Sequence, residues 1–166
     1  MTHSNPLNIC FVSPHPDDIE LYCGGTLLAH ASTNASLSVL MMTNGGFGSR
    51  NPFRRGKILE KIRAQEARNR YALLNQVQLI FAEFKDKRVM NDIASVVKIT
   101  QILQLLKPDI IYLPEFTPRL SERKHRDHIH TGHIIMDASQ RLHDAVILRC
   151  YHSKSINYIH NIDAFF

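Results

Sequence analysis

Short apolar runs alternate with helix-period segments along this chain, and that alternation restricts the possible folds more than any other feature. Residues 7–12, 37–43, 77–81, 109–114 and 145–151 read as buried strands. Residues 19–30, 57–75, 91–106 and 127–141 read as helices, with Asn91 as a plausible cap and Lys107-Pro108 as a stop. Strands that alternate with helices at this spacing form a mainly parallel sheet with helices on both faces, an α/β three-layer sandwich. No repeat, low-complexity tract or interdomain linker interrupts the pattern, so residues 1–166 read as one domain. From 153 onward no period is clear, although 164–166 could begin another strand.

The chemistry concentrates where strands hand over to helices. Between the first strand and the first helix lies His15-Pro16-Asp17-Asp18. In open α/β sheets such turns lie outside the carboxyl ends of the strands, where ligands bind. Two adjacent carboxylates repel, and a cation beside them removes the penalty. The tetrapeptide alone also reads as a polar turn in which Asp caps a helix and Pro sits near its start. A second cluster, His125-Arg126-Asp127-His128, follows the fourth strand. The predicted topology brings it to the same sheet edge. His15, Asp18 and His128 would supply two nitrogens and one oxygen, a set that catalytic zinc accepts, and other divalent transition metals also fit such donors. Asp17 would remain free beside the ion. His125 would stand opposite, with Asp127 two residues away to orient it, although Asp127 also reads as a helix cap. His130, His133, His143, His152 and His160 read as surface or packed residues. Gly45-Gly46 with Gly48 follows a strand but lacks the Lys of a phosphate-binding loop, so a nucleotide site is weakly indicated.

Composition narrows the class. No apolar run approaches the roughly 18 residues that cross a bilayer. The polar start, residues 1–6, lacks a signal-peptide core. With no close-spaced pair, Cys10, Cys23 and Cys150 fit reduced, buried thiols. The expected location is the cytoplasm. The net charge is +5, with basic residues gathered at 50–70 and 119–126. Phe53 is the one aromatic residue within these stretches, which points away from nucleic acid and towards an anionic group on a small substrate. A homo-oligomer is compatible with the sequence.

The two clusters together resemble the PIG-L/LmbE family of zinc-dependent deacetylases. The first family motif appears as Pro14-His15-Pro16-Asp17-Asp18, with Gly24-Gly25-Thr26 following, and the second as His125-Arg126-Asp127-His128. Thr43 with Gly45-Gly46 resembles the family's loop after the second strand, and Arg63-Ala64-Gln65-Glu66-Ala67 its Arg-x-x-Glu helix. The resemblance spans about residues 8–151. It implies a Rossmann-like fold and removal of an N-acetyl group from an N-acetylglucosamine-type or related amino-sugar conjugate, releasing acetate. It implies Zn2+ held by His15, Asp18 and His128, Asp17 as general base, His125 facing the reacting carbonyl, and Arg63 at the substrate pocket. Zinc would lower the pKa of its water and polarise the amide. Asp127 is expected to keep His125 oriented and cationic.

Two departures accompany the resemblance. Arg126 stands where many members have Pro. The chain ends at Phe166 where members usually continue, so a sheet cut short at the C-terminus is expected. Two other readings therefore stay open: a truncated metal-binding domain that serves as a partner module, and a metal-dependent hydrolase of another amide or ester.

Overall fold

The structure, a computed structural model, describes residues 6–74, 76–116, 125–151 and 159–162. The elements run β1 (Asn8–Ser13), α1 (Asp18–Tyr22), α2 (Gly24–Ala31), β2 (Ser36–Thr43), a 3₁₀ turn (Pro52–Arg54), α3 (Lys57–Tyr71), β3 (Val77–Phe84), α4 (Ile93–Leu106), β4 (Ile110–Pro114), α5 (Arg126–Ser139), β5 (Ile147–Tyr151) and β6 (Ile159–Ile162). They form one sheet in the order β3-β2-β1-β4-β5-β6. The first five strands are parallel, and β6 runs antiparallel to β5.

Side chains alternate across each strand, so β1 feeds two cores at once. Ile9 and Phe11 pack with Ile19, Leu27, Ala67 and Tyr71 from α1, α2 and α3. Cys10 and Val12 pack on the other face with Ile99 and Leu103 of α4 and Ile134 and Ile135 of α5. A buried side chain of this kind contributes about 1.5–3 kcal/mol relative to exposure. The central strands are therefore apolar on both faces, as buried parallel strands must be. Gly132 lets α5 approach closely, because a Cβ there would run into the Phe116 side chain.

From β1 the chain winds outward to β3, then returns to β4 on the other side of β1. The winding reverses between β1 and β4, and the loops that leave these two strands flank the crevice that results. They are the loops that carry the two His/Asp clusters.

Some boundaries differ from the sequence reading. The first helix divides at Cys23, whose backbone leaves the helical region (φ −143°, ψ 22°) and whose side chain is buried. Two low-propensity glycines follow it, so burial of Cys23 decides the local geometry. Asp92, not Asn91, caps α4 by accepting from Ser95 N at 2.8 Å. Asn91 instead donates to Asp137 Oδ2 at 3.0 Å. Lys107 ends α4 in the left-handed region (φ 46°), and Pro108 follows. β3 continues to Phe84, past a register shift opposite Met41 and Thr43. β6 lies in the tail where no period was legible, and the strand expected at 164–166 falls outside the described residues. So does most of the basic stretch at 119–126.

Candidate metal centre

Ser13 ends β1, and the chain turns through Pro14-His15-Pro16 into α1. Asp18 accepts from His15 N at 2.8 Å, which closes this turn. Beyond β4, His125 caps α5 by accepting from Asp127 N at 3.3 Å. His128 then lies one turn into α5, and its Nε2 is 3.3 Å from Asp18 Oδ1. On its other side Asp18 places Oδ2 3.3 Å from His15 Nδ1. One buried carboxylate thus joins imidazoles that stand over a hundred positions apart in sequence.

These three residues each offer one ligand atom, and the atoms lie within 4.8 Å of one another. Bonds of about 2.1 Å to a tetrahedral ion leave neighbouring ligand atoms about 3.4 Å apart. Each imidazole nitrogen lies 3.3 Å from an Asp18 oxygen, the two histidines facing different oxygens of that carboxylate. His128 Nδ1 is buried and has no hydrogen-bond partner among the described residues. Two imidazoles and one carboxylate form a donor set suited to zinc, and the residues present fit such an ion.

Electrostatics point the same way. His15 Nε2 lies 3.2 Å from Asp127 Oδ2 and 3.4 Å from Asp86 Oδ1. Burial alone would push the His15 imidazole down, but hydrogen bonds to Asp127, Asp18 and Asp86 outweigh it and raise its pKa to about 11. Burial would likewise raise Asp18, yet His128 and His15 hold its carboxyl well below the usual range. Three carboxylates converging on one ring create a demand for positive charge. A proton meets it here, and a divalent cation would meet it more fully.

Asp127 behaves differently from the sequence expectation. Its Oδ2 stands 3.9 Å from His125 Nδ1 but 3.2 Å from His15 Nε2, and it also accepts from Lys87 N at 2.7 Å. Asp127 thus supports His15, as carboxylates commonly support a metal-ligating histidine. Burial and then the charge on His15 push the pKa of His125 below its usual value, and the pull of Asp127 does not reverse this. That shift runs against the expected cationic His125. Because Nδ1 accepts from the Asp127 amide, the neutral ring carries its proton on Nε2 and remains a donor.

Arg63 reaches from α3 to the first cluster. Its Nη2 is 2.9 Å from Asp17 Oδ2, and Nη1 donates to Gly45 O at 3.2 Å. The glycines that follow β2 make this possible. Gly45 has φ +63°, and a Cβ there would stand 2.9 Å from both Pro16 Cδ and Arg63 Cζ. Gly45→Ala is expected to destabilise the fold by about 1–3 kcal/mol, read from urea unfolding, because it combines crowding with a left-handed backbone. The loop therefore seats a guanidinium. Arg70 adds a second strut, donating to Pro16 O at 3.1 Å and pairing with Glu20 at 2.8 Å.

Sequence reasoning missed Asp86. Its Oδ2 accepts from Phe47 N at 2.7 Å while its other oxygen faces His15, so it ties the glycine loop to the candidate ligand. A lone Asp after a strand carries no spacing signal, and only the path of the loop after β3 brings it here. Among the residues set aside, His130 accepts from Asn91 N at 3.3 Å and His133 packs against Phe116, both away from the three candidate ligands.

Comparison with known proteins gives this arrangement a family. Residues 10–139 match the PIG-L family, described as GlcNAc-PI de-N-acetylase, and the chain belongs to that family. A diacetylchitobiose deacetylase from Thermococcus kodakarensis is 24% identical over 76% of this chain and 47% of its own length. The N,N'-diacetylchitobiose deacetylase of Pyrococcus horikoshii, solved with an inhibitor, superposes with a TM-score of 0.80 at 22% identity, over 93% of this chain and 64% of that one. A 4-carboxy-2-hydroxymuconate hydratase from Pseudomonas putida KT2440 superposes with a TM-score of 0.72 at 16% identity, over 87% of this chain and 65% of that one. At these identities the two structures speak for the fold. The chain spans between 47% and 62% of the length of the curated relatives it matches.

Proposed function

We propose that this chain is a metal-dependent hydrolase that removes the N-acetyl group from an N-acetylglucosamine-type conjugate, releasing acetate and a free amine. The observation that carries this reading is the meeting of His15, Asp18 and His128, from two distant loops, beside an Asp17 that is not needed as a ligand. His15, Asp18 and His128 would hold the ion, zinc by preference. A divalent cation there supplies a water acidified to a pKa of about 7 and a Lewis acid for the amide oxygen.

The remaining chemistry belongs to the protein. Asp17 Oδ1 has no protein partner among the described residues, while Oδ2 is anchored by Arg63. Held in this way, Asp17 accepts a proton from the attacking water as general base. The amide carbon becomes tetrahedral, and His125 Nε2–H donates to the oxygen that gains charge, a contribution commonly worth about 3 kcal/mol per donor. The C–N bond then breaks, and a proton from Asp17 or His125 passes to the departing amine. Asp127 and Asp86 keep the His15 ring in orientation. The buried, unbridged cysteines favour a reducing compartment such as the cytoplasm.

The test is an acetate-release assay over N-acetyl sugars, run on purified protein whose metal content is measured in parallel. Acetate release that stops with a chelator and returns with zinc supports the proposal. Metal bound without acetate release from any substrate would sink it. Arg63→Ala is expected to lower kcat/KM about 10–100-fold, mainly through kcat, because loss of a charge-assisted contact releases Asp17. A change confined to KM would move Arg63 onto the substrate.

A further inference from the structure

Residues 50–70 carry eight basic side chains, and the structure divides them into two groups. Arg63 and Arg70 pair with Asp17 and Glu20, Arg55 donates to Ser49 O at 2.8 Å, and Arg68 lies 4.8 Å from the centre of the Phe81 ring. Arg50, Arg54, Lys57 and Lys61 have no carboxylate within ion-pair distance among the described residues. This second group is interleaved in sequence with exposed apolar residues. Ala64, Ala67 and Tyr71 mark the core-facing side of α3. At 100° per residue Ile58 and Ile62 lie almost opposite that side, and they are 68% and 50% exposed. Phe53, on the 3₁₀ turn just before, is 92% exposed. Lys61 lies about 80° round the helix from the mean of these two isoleucines and Lys57 about 120°, so the lysines flank the apolar row on one side, and both are exposed.

A solvent-facing row on a surface helix is normally polar, and a single exposed apolar residue needs no explanation. Three of them within residues 50–62, interleaved with four cations that have no carboxylate partner among the described residues, do need one. We propose that Phe53, Ile58 and Ile62, with Arg54, Lys57 and Lys61, dock the protein on an anionic lipid surface. The apolar side chains enter the headgroup boundary, and the cations meet lipid phosphates and anionic headgroups. A second copy is a poorer occupant, because a two-fold contact through this patch would press its cations against their own copies. Nucleic acid would match the cations but not the isoleucines. Arg63 directly follows Ile62 and reaches Asp17, so docking would set the candidate metal centre beside the membrane surface.

Co-sedimentation of the full chain with vesicles tests this independently of catalysis. Phosphatidylcholine vesicles are compared with vesicles that also contain about a third phosphatidylserine, at about 0.1 M and about 1 M salt. Binding is expected only to the anionic vesicles, and to weaken at high salt. Replacing Lys57→Gln and Lys61→Gln together should weaken it roughly 25-fold, about fivefold per cation. Replacing Phe53→Ser, Ile58→Ser and Ile62→Ser together should abolish the binding that survives salt. All five side chains point outward, so far-UV circular dichroism and melting temperature should stay unchanged. Equal binding to both vesicle types, no binding, or variants that bind like the parent would overturn the proposal. So would light scattering that shows a dimer lost in the Ser variant while vesicles are ignored, which would assign the patch to a second copy.

Discussion

Asp17→Asn is expected to lower turnover about 10²–10⁴-fold, the usual contribution of a general base, while metal content stays at the parent level. Asparagine keeps the shape of the side chain and can still accept from Arg63. It cannot take a proton from water. The side chain is 51% exposed, and its ion pair with Arg63 contributes little to folding. Stability should therefore hardly change, and the loss would be chemical. Steady-state acetate release beside elemental analysis reads both quantities. Near-normal turnover with metal retained would remove Asp17 from the role of base.

The second large effect is expected at His128. His128→Ala should lose the ion and with it about 10³-fold or more in turnover, since a Lewis acid contributes several kcal/mol to this kind of barrier. Asp18 would then face His15 alone, a two-residue set too small for a catalytic zinc site. The His125 ring centre lies 5.9 Å from that of His128, and His125 Nδ1 is already engaged with the Asp127 amide. His15, His125 and Asp127 also bring one ligand atom each within 4.8 Å of one another, but His15 Nε2 and Asp127 Oδ2 already face each other at 3.2 Å, so this second set is expected to hold the ion less well. Elemental analysis that still finds a full equivalent of metal would show that the ligand set is wrong.

Much of this architecture was legible because buried parallel strands write a simple pattern. The apolar runs of β1 and β4 are uninterrupted and that of β2 is broken only by buried Ser38, since both faces of these strands are covered, and the helices between them repeat at 3.6 residues. β6 was not legible. It is four residues long, it sits at the sheet edge, and pairing with β5 defines it rather than any period of its own. The division of the first helix at Cys23 was equally hidden, because tertiary burial decides it. Within the candidate centre, His15, Asp18 and His128 stood out through residue type and position after strands. What Asp127 touches could not be read in this way: adjacency in sequence suggested His125, whereas the fold turns the carboxylate to His15. Asp86 reaches His15 only because the loop after β3 passes over the ends of the neighbouring strands.

The two cores on opposite faces of the sheet have a consequence for when the protein can act. Asp18 opens α1, which is seated on one layer, whereas His128 belongs to α5, which is seated on the other. An ion needs both within a few ångströms, so it can be gripped only after each layer has settled on the central strands. A chain with one layer adrift would keep the two clusters apart, and uptake of a divalent ion would report that assembly is complete.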